Sequence, residues 1–260
     1  DAVFTDPPYF GNVQYAELMD FCYVWLRRLI GKKVKAFGSV STRNHHELTG
    51  NIDMGRDLKH FTEGLSSVFQ RIVKALKPGA PLAFTYHHNT IEAYLPIAVA
   101  ILDAGLTCSA SLPCPSEMGA SIHINGTYSS IIDTIFVCRT TGWVSKKTLP
   151  CSPEGICTLV RDDLAELQKG KVKPSLGDTR CIAYGHLIRI AIWNLRNGWD
   201  RTADTSKKTS AVASWLMNFG GWPEVEKHLS KTNSFHNDDP IFAARENIEK
   251  YRVEYDNVPF

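Results

Sequence analysis

The chain has 260 residues, of which 43% are hydrophobic and 22% are charged, and its formal net charge is +2. This is ordinary globular composition, long enough to bury a substantial core as one large domain or one and a half. The charge is too small to indicate a nucleic-acid-binding protein by itself, so any basic surface must be local. No apolar run approaches the roughly 18 residues of a membrane-spanning helix, and no signal-peptide pattern is visible. We therefore expect no membrane role, and the cysteine usage favours a cytoplasmic protein.

The seven cysteines are odd in number and include no Cys-x-x-Cys pair. Several lie inside apolar runs, which favours reduced core thiols over disulfides or a zinc site. The histidine pairs His45-His46 and His87-His88 raise the alternative of metal-dependent hydrolysis. Adjacent histidines point to opposite sides of a strand and no carboxylate stands at ligand spacing, so we predict no metal site.

Near its start the chain passes from a short apolar strand into an acidic residue, two prolines and an aromatic. The strand is Ala2–Thr5, and Asp6, Pro7, Pro8 and Tyr9 follow it. Because Asp6 precedes a proline it is held extended, and the prolines fix φ and donate no amide hydrogen bond. The loop is therefore stiff and its carbonyls stay free to accept. A carboxylate, rigid carbonyls and the face of a tyrosine suit a planar molecule that carries an exocyclic amine.

This stretch resembles motif IV, Asp-Pro-Pro-Tyr, of the S-adenosylmethionine-dependent amino-methyltransferases, above all the DNA N6-adenine methylases. The longer segment from Thr5 to Leu18 is similar to large prokaryotic proteins classed as adenine-specific DNA methylases. In that family the acceptors take both amino hydrogens of a flipped base, and the freed lone pair attacks the methyl sulfonium without a covalent enzyme intermediate. The resemblance implies these roles: catalytic for Asp6, Pro7, Pro8 and Tyr9; cofactor-binding for Thr5 and Asp6; base-binding for Tyr9, Phe10 and Asn12.

Apolar residues recur at helical spacing from Tyr15 to Leu29, which predicts an amphipathic helix that ends near Gly31. Further apolar residues, Phe21 among them, predict that this helix is packed on more than one side. Residues 31–57 then lose the periodicity and carry several basic side chains. They predict a loop or small excursion beside the site, for which a solvated basic surface is the simplest interpretation.

The next elements alternate between helices and buried strands. A helix is predicted from Leu58 to the Lys77-Pro78-Gly79 stop, a strand over 82–87, a helix over 91–104, and strands over 106–112 and 130–138. A helix, Leu-Lys-Pro-Gly and a buried strand are similar to what many class I methyltransferases show before their fifth strand. The resemblance covers about residues 1–140 and implies an α/β fold, the C-terminal half of a Rossmann-like sheet that ends in an antiparallel hairpin.

The remainder is predicted to be helical. Residues 141–178 are interpreted as a linker or insertion with one short helix near 161–168. Residues 179–260 are interpreted as a helical accessory region, with a helix from about Asp178 to Gly198 and further helices near 209–219 and 240–253.

A methyltransferase of this class also needs a Gly-rich loop after its first strand and an acidic residue for the ribose. Neither is present, because Gly220-Gly221 has no strand before it. These elements are expected either upstream of Asp1 or, in a permuted order, downstream of Phe260, and the strand that runs into Asp-Pro-Pro-Tyr favours upstream. We therefore expect the isolated chain, without its N-terminal half, to be inactive and to bind S-adenosylmethionine poorly.

The sequence predicts methyl transfer from S-adenosylmethionine to N6 of adenine in double-stranded DNA, with the base flipped out. N4-cytosine and RNA remain open as substrates. An alternative of a different class is a non-catalytic nucleic-acid-binding scaffold of a restriction or defence system.

Overall fold

A four-stranded mixed sheet organises the computed structural model, which describes residues 1–11, 13–116, 130–140 and 149–231. The strands lie in the order β1-β2-β4-β3, with these bounds: β1 Val3–Thr5, β2 Leu82–Tyr86, β3 Thr107–Pro115 and β4 Ile132–Arg139. β1 and β2 are parallel, whereas β4 runs antiparallel to both β2 and β3. The prediction that the first strand and the 82–86 strand share one sheet is confirmed, and so is the antiparallel closing pair.

The described part of the chain contains seven α-helices. They are α1 Tyr15–Ile30, α2 Leu58–Ala75, α3 Leu95–Asp103, α4 Pro153–Lys169, α5 Leu176–Leu195, α6 Thr205–Phe219 and α7 Gly221–Lys231. None of these described helices is both long and apolar enough to cross a membrane. Asn12, assigned to base binding, and the helix predicted at 240–253 lie outside the described residues.

The helices cover one face of the sheet. Along β4 the residues alternate between buried ones, such as Thr134 and Phe136, and half-buried ones, such as Asp133 and Ile135. α5 lies against the buried face, where the Thr134 hydroxyl donates to the Cys181 carbonyl at 3.4 Å. A Cβ on Gly185 would come within 2.4 Å of the Ser111 hydroxyl oxygen, so only glycine permits this approach.

The helices after residue 150 share one hydrophobic core cluster with the sheet. The short helix predicted near 161–168 is wrong in length, because it begins at Pro153, where Ser152 caps it by accepting from the Gly155 amide. α7 was not predicted at all. α5 is buried on nearly every side, so the single apolar face seen in the sequence underestimates how much of this helix is buried.

A buried ion pair joins α3 to α6. The Asp103 carboxylate, in a residue only 6% exposed, accepts from Trp199 Nε1 at 2.9 Å and lies 3.0 Å from Lys208 Nζ. Each partner therefore neutralises a charge that would otherwise be buried alone.

α1 has the predicted bounds but not the predicted packing. Only Ala16 and Tyr23 are buried on it, whereas Phe21 is 75% and Leu29 76% exposed. Its contacts are with the following loop, where the Tyr23 hydroxyl donates to the Ser39 carbonyl at 3.0 Å. The expectation of packing on more than one side is therefore wrong within the described residues. Apolar periodicity identifies a face that favours burial, but it does not supply the element that covers it.

We expect this exposed apolar face to make the chain self-associate. Replacing both Phe21 and Leu29 by Glu should lower the association measured by sedimentation velocity across a concentration series. Met217→Glu, at an equally exposed position on α6, is the matched control and should change nothing. A wild-type chain that stays monomeric at the highest concentration would contradict this expectation.

Asp103→Ala should reduce the free energy of unfolding by about 3 kcal/mol, because it leaves the Lys208 ammonium buried without a partner. Adding Lys208→Met should recover part of the loss. Glu166→Ala breaks an exposed pair with Lys169 and should have no measurable effect. Urea denaturation of the four proteins checks this, and an Asp103→Ala variant as stable as wild type would refute it.

Candidate active site

Three strands bring their ends together at one edge of the sheet. Asp6 follows the last residue of β1, and the parallel pairing of β1 with β2 puts the end of β2 beside it. β4 runs the opposite way, with Thr134 paired to Tyr86, so its beginning lies at the same edge. In open α/β sheets this carboxyl edge of the parallel strands is where ligands bind.

The Tyr9 hydroxyl lies at the centre of a small polar cluster. Its oxygen is 2.8 Å from Asp133 Oδ2, 3.0 Å from Asp6 Oδ1 and 3.3 Å from Thr85 Oγ1. The Thr85 hydroxyl also donates to Asp6 Oδ1. These four residues, Asp6, Tyr9, Thr85 and Asp133, are called the Tyr9 cluster below. They tie the Asp-Pro-Pro-Tyr loop to both β2 and β4.

Electrostatics keep the Tyr9 hydroxyl protonated. Burial raises its pKa well above the ordinary tyrosine range, and the carboxylates of Asp133 and Asp6 raise it further, against a lowering by the Thr85 hydrogen bond. Burial and Asp6 also raise the pKa of Tyr15, at the start of α1. Tyr9 is therefore a hydrogen-bond donor and not a base at neutral pH.

Asp6 presents an acceptor that the protein leaves open. The residue is exposed, and its Oδ1 accepts from the Thr85 hydroxyl and lies 3.0 Å from the Tyr9 hydroxyl oxygen. Within the described residues no donor reaches its Oδ2 or the carbonyl of Pro7. Pro7 itself is buried, so this carbonyl belongs to a rigid part of the loop. The loop thus carries two fixed acceptors.

The other predicted residues have different surroundings. The Tyr9 ring is half-buried, with its centroid 5.4 Å from that of Tyr86 and 6.5 Å from that of His87. The Phe10 ring packs at 5.4 Å against Phe61, towards α2 and the core. Thr5 is the last residue of β1 and pairs with Phe84.

The two histidines after β2 are held by the protein. His87 Nδ1 lies 3.2 Å from the Ile132 carbonyl oxygen and 3.5 Å from Cys181 Sγ. Burial lowers the pKa of His88, and neighbouring His87 lowers it further, so His88 is neutral. Nowhere in the described ranges do three or more His, Cys, Asp or Glu side chains group as metal ligands would.

The loop between α1 and α2 lies beside the site, as predicted. Arg56 is buried, with Nη1 2.5 Å from Glu47 Oε2 and Nη2 3.0 Å from Gln14 Oε1. Gln14 in turn donates to the Gly50 carbonyl at 2.6 Å. A Cβ on Gly50 would lie 2.9 Å from the Phe10 ring, so the loop contacts the residues that follow the motif.

The described residues do not complete a pocket for S-adenosylmethionine. Thr5 and Asp6, to which the resemblance assigns cofactor contacts, lie at the end of β1. After β1 and β2, however, the chain continues into Asp-Pro-Pro and His-His, neither of which begins a glycine-rich loop. The backbone cradle that such a cofactor requires is therefore absent from this part of the chain.

Sequence reasoning did not identify Thr85 or Asp133. Both are polar residues at alternate positions of apolar strands, in Leu82–Tyr86 and Ile132–Arg139. A polar residue such as Asp133 within an apolar strand was the available signal, because a carboxylate there needs a hydrogen-bond partner. Only the strand register shows that the two side chains meet at Tyr9.

Comparison of the sequence with protein-family models, with curated proteins and with solved structures finds no match.

Proposed function

We propose that the protein is an amino-methyltransferase that acts on N6 of adenine in DNA, with S-adenosylmethionine as the methyl donor. The observation that carries the proposal is a pair of acceptors that no donor reaches within the described residues, Asp6 Oδ2 and the Pro7 carbonyl, at the carboxyl end of β1. An exocyclic amine has two hydrogens to donate, which matches two acceptors on one rigid loop.

The chemistry of the loop follows from these acceptors. An adenine amine is a poor nucleophile because its lone pair is delocalised into the ring. Accepting both hydrogens localises the lone pair, and the Asp6 carboxylate stabilises the positive charge that grows on nitrogen during transfer. Positioning and electrostatics are sufficient, and no protein nucleophile is required.

Thr85 and Asp133 act as positioning residues in this proposal. The Thr85 hydroxyl anchors Asp6 Oδ1 and leaves the second oxygen as the acceptor for the amine. The Tyr9 hydroxyl donates to Asp133, the nearest of its three acceptors. This hydrogen bond restrains the Tyr9 ring, against which a flipped base would stack.

The sheet supports the same proposal. Its parallel β1-β2 pair and antiparallel closing strands agree with the second half of a class I methyltransferase sheet, the likeness on which the sequence argument rests. Adenine is favoured by the Asp at position 6. Cytosine N4, RNA, and a scaffold that binds nucleic acid without methylating it are the outcomes that the substrate series below separates.

Asp6→Ala should lower the single-turnover rate of methyl transfer by the intact protein at least about 100-fold, the scale of losing one preorganised electrostatic group. Asp162→Ala removes an exposed carboxylate on α4 and is the matched control. Substrates are DNA duplexes with adenine or cytosine as the only methylatable base, and the RNA equivalent.

A wild-type rate for Asp6→Ala would contradict the mechanism. Transfer to cytosine alone or to RNA alone would reassign the substrate. Nucleic-acid binding without transfer to any of them would establish the scaffold.

Substitutions at Tyr9 should separate base capture from chemistry. Tyr9→Ala removes stacking worth about 1–3 kcal/mol per base and should chiefly weaken capture of the flipped base. Tyr9→Phe keeps the ring and should retain much of the activity, although it frees Asp6 and Asp133 from the hydroxyl. Fluorescence of 2-aminopurine at the target position reports capture. Equal losses in Tyr9→Phe and Tyr9→Ala would show that the hydroxyl, and not the ring, is what matters.

The 260-residue chain alone should bind S-adenosylmethionine poorly or not at all, because its sequence lacks the Gly-rich loop that the cofactor requires. The intact protein should bind it. Isothermal calorimetry on both measures this, and micromolar affinity for the 260-residue chain would overturn the expectation.

A further inference from the structure

A second concave site lies on the helical side of the molecule, away from the Tyr9 cluster. It is a cavity of about 420 Å³ between the end of α5, the second half of α6 and the segment that precedes α4. This volume falls within the range of small-ligand pockets, which runs from about 300 to 1,000 Å³. Its lining includes Trp193, Arg196, Trp215 and Phe219, and we call it the Trp215 cavity.

The aromatic side chains are arranged as flat platforms. Trp215 and Phe219 stand one helical turn apart on α6, with ring centroids 4.9 Å apart and planes inclined by 19°. Trp193 is fixed in place because its Nε1 donates to the Cys108 carbonyl at 2.7 Å. All three rings are half-buried, so their positions are set while part of each remains accessible. Such surfaces stack on planar ring systems.

The positively charged guanidinium of Arg196 forms no ion pair with a carboxylate among the described residues. Its guanidinium carbon lies 3.7 Å from the centroid of the Trp193 ring. It is the only charged side chain among the cavity's lining residues, and in the described part of the chain it has no ion pair. Stacking on Trp193 orients the guanidinium plane and leaves its N–H edge for an anion, to which a planar guanidinium can donate two hydrogen bonds.

Amide groups add hydrogen-bonding capacity beside these platforms. Asn194 donates to the Ile190 carbonyl at 2.9 Å, which positions its side chain and leaves the amide oxygen as an acceptor. Asn197 lines the same cavity. Amides of this kind bind the polar edges of heterocycles.

The cavity is separate from the candidate active site. Trp193 binds the backbone at Cys108, near the beginning of β3, whereas Asp133 of the Tyr9 cluster pairs with Cys114 near its end. Cys108 and Cys114 are six residues apart on β3, which at about 3.3 Å per residue separates them by about 20 Å along the strand. A single base held at Asp6 therefore does not reach Trp215.

We propose that the Trp215 cavity binds a nucleotide unit, with its base packed against the stacked Trp215–Phe219 pair and its phosphate on Arg196. The flat rings, the amides and the guanidinium without an ion-pair partner are together complementary to an aromatic heterocycle that carries an anionic group. A free nucleotide and a nucleotide within a single strand share this chemistry.

The test is calorimetric titration of the protein with adenosine 5′-monophosphate, with adenosine and with a short single-stranded oligoadenylate. Wild type should bind the monophosphate at least about tenfold more tightly than adenosine, because of the charge-assisted contact. Arg196→Gln should abolish that difference. Trp215→Ala should weaken both nucleoside and nucleotide between about fivefold and a hundredfold. Tighter binding of the oligonucleotide than of the monophosphate identifies a strand as the source, and the reverse identifies a free nucleotide.

Three controls locate the site and exclude unfolding. Trp215→Phe keeps a ring on the platform and should retain most of the affinity. Met217→Ala, on α6 outside the cavity, should bind as wild type does. Asp6→Ala should lose methyl transfer and keep this binding, so failure of the proposed function and failure of this inference are distinguishable. Absence of saturable binding at millimolar concentration, affinity unaffected by both Arg196→Gln and Trp215→Ala, or binding lost in Asp6→Ala would each overturn the proposal.

Discussion

One hydroxyl group, that of Tyr9, fixes the Asp-Pro-Pro-Tyr loop against the sheet. It has a single proton and three acceptors within 3.3 Å, on Asp6, Thr85 and Asp133. The Tyr9 hydroxyl contacts both carboxylates, and the Thr85 hydroxyl donates to Asp6, so hydroxyl groups separate and partly neutralise the two acidic side chains. Because the Thr85 hydroxyl donates to Asp6 Oδ1, the Asp6 side chain has one anchored oxygen and a second that no donor reaches within the described residues. Everything proposed for the chemistry of the loop depends on that asymmetry.

The sheet determines which residues can take part. Parallel pairing brings the end of β2 beside the end of β1, and the antiparallel insertion of β4 brings a strand beginning to the same edge. The helices bury the opposite side of β4 from the one that carries Asp133, with Gly185 allowing α5 to approach closely. The helices that follow residue 150 thus stabilise the sheet through its core face. The face that carries the Tyr9 cluster is the less covered one.

Local signals allowed much of this to be predicted from the sequence. Periodicity and stop residues gave α1 and α2 nearly to the residue, and the Asp-Pro-Pro-Tyr stretch located the end of β1. Properties that depend on tertiary contacts were not predictable in the same way. Asp133 lies 124 positions from Tyr9 in the chain and reaches it only through the register of β4. The exposure of α1 shows the same limit, since a periodic apolar face does not reveal what packs against it.

The central claim is that the open acceptors of the loop receive an exocyclic amine. A crystal structure of the intact protein with a DNA duplex that contains an extrahelical adenine tests this most directly. The account predicts the adenine amino nitrogen within hydrogen-bonding distance, about 2.7–3.2 Å, of both Asp6 Oδ2 and the Pro7 carbonyl oxygen. An adenine bound with its amino group turned away from both acceptors, or bound elsewhere on the protein, would contradict it.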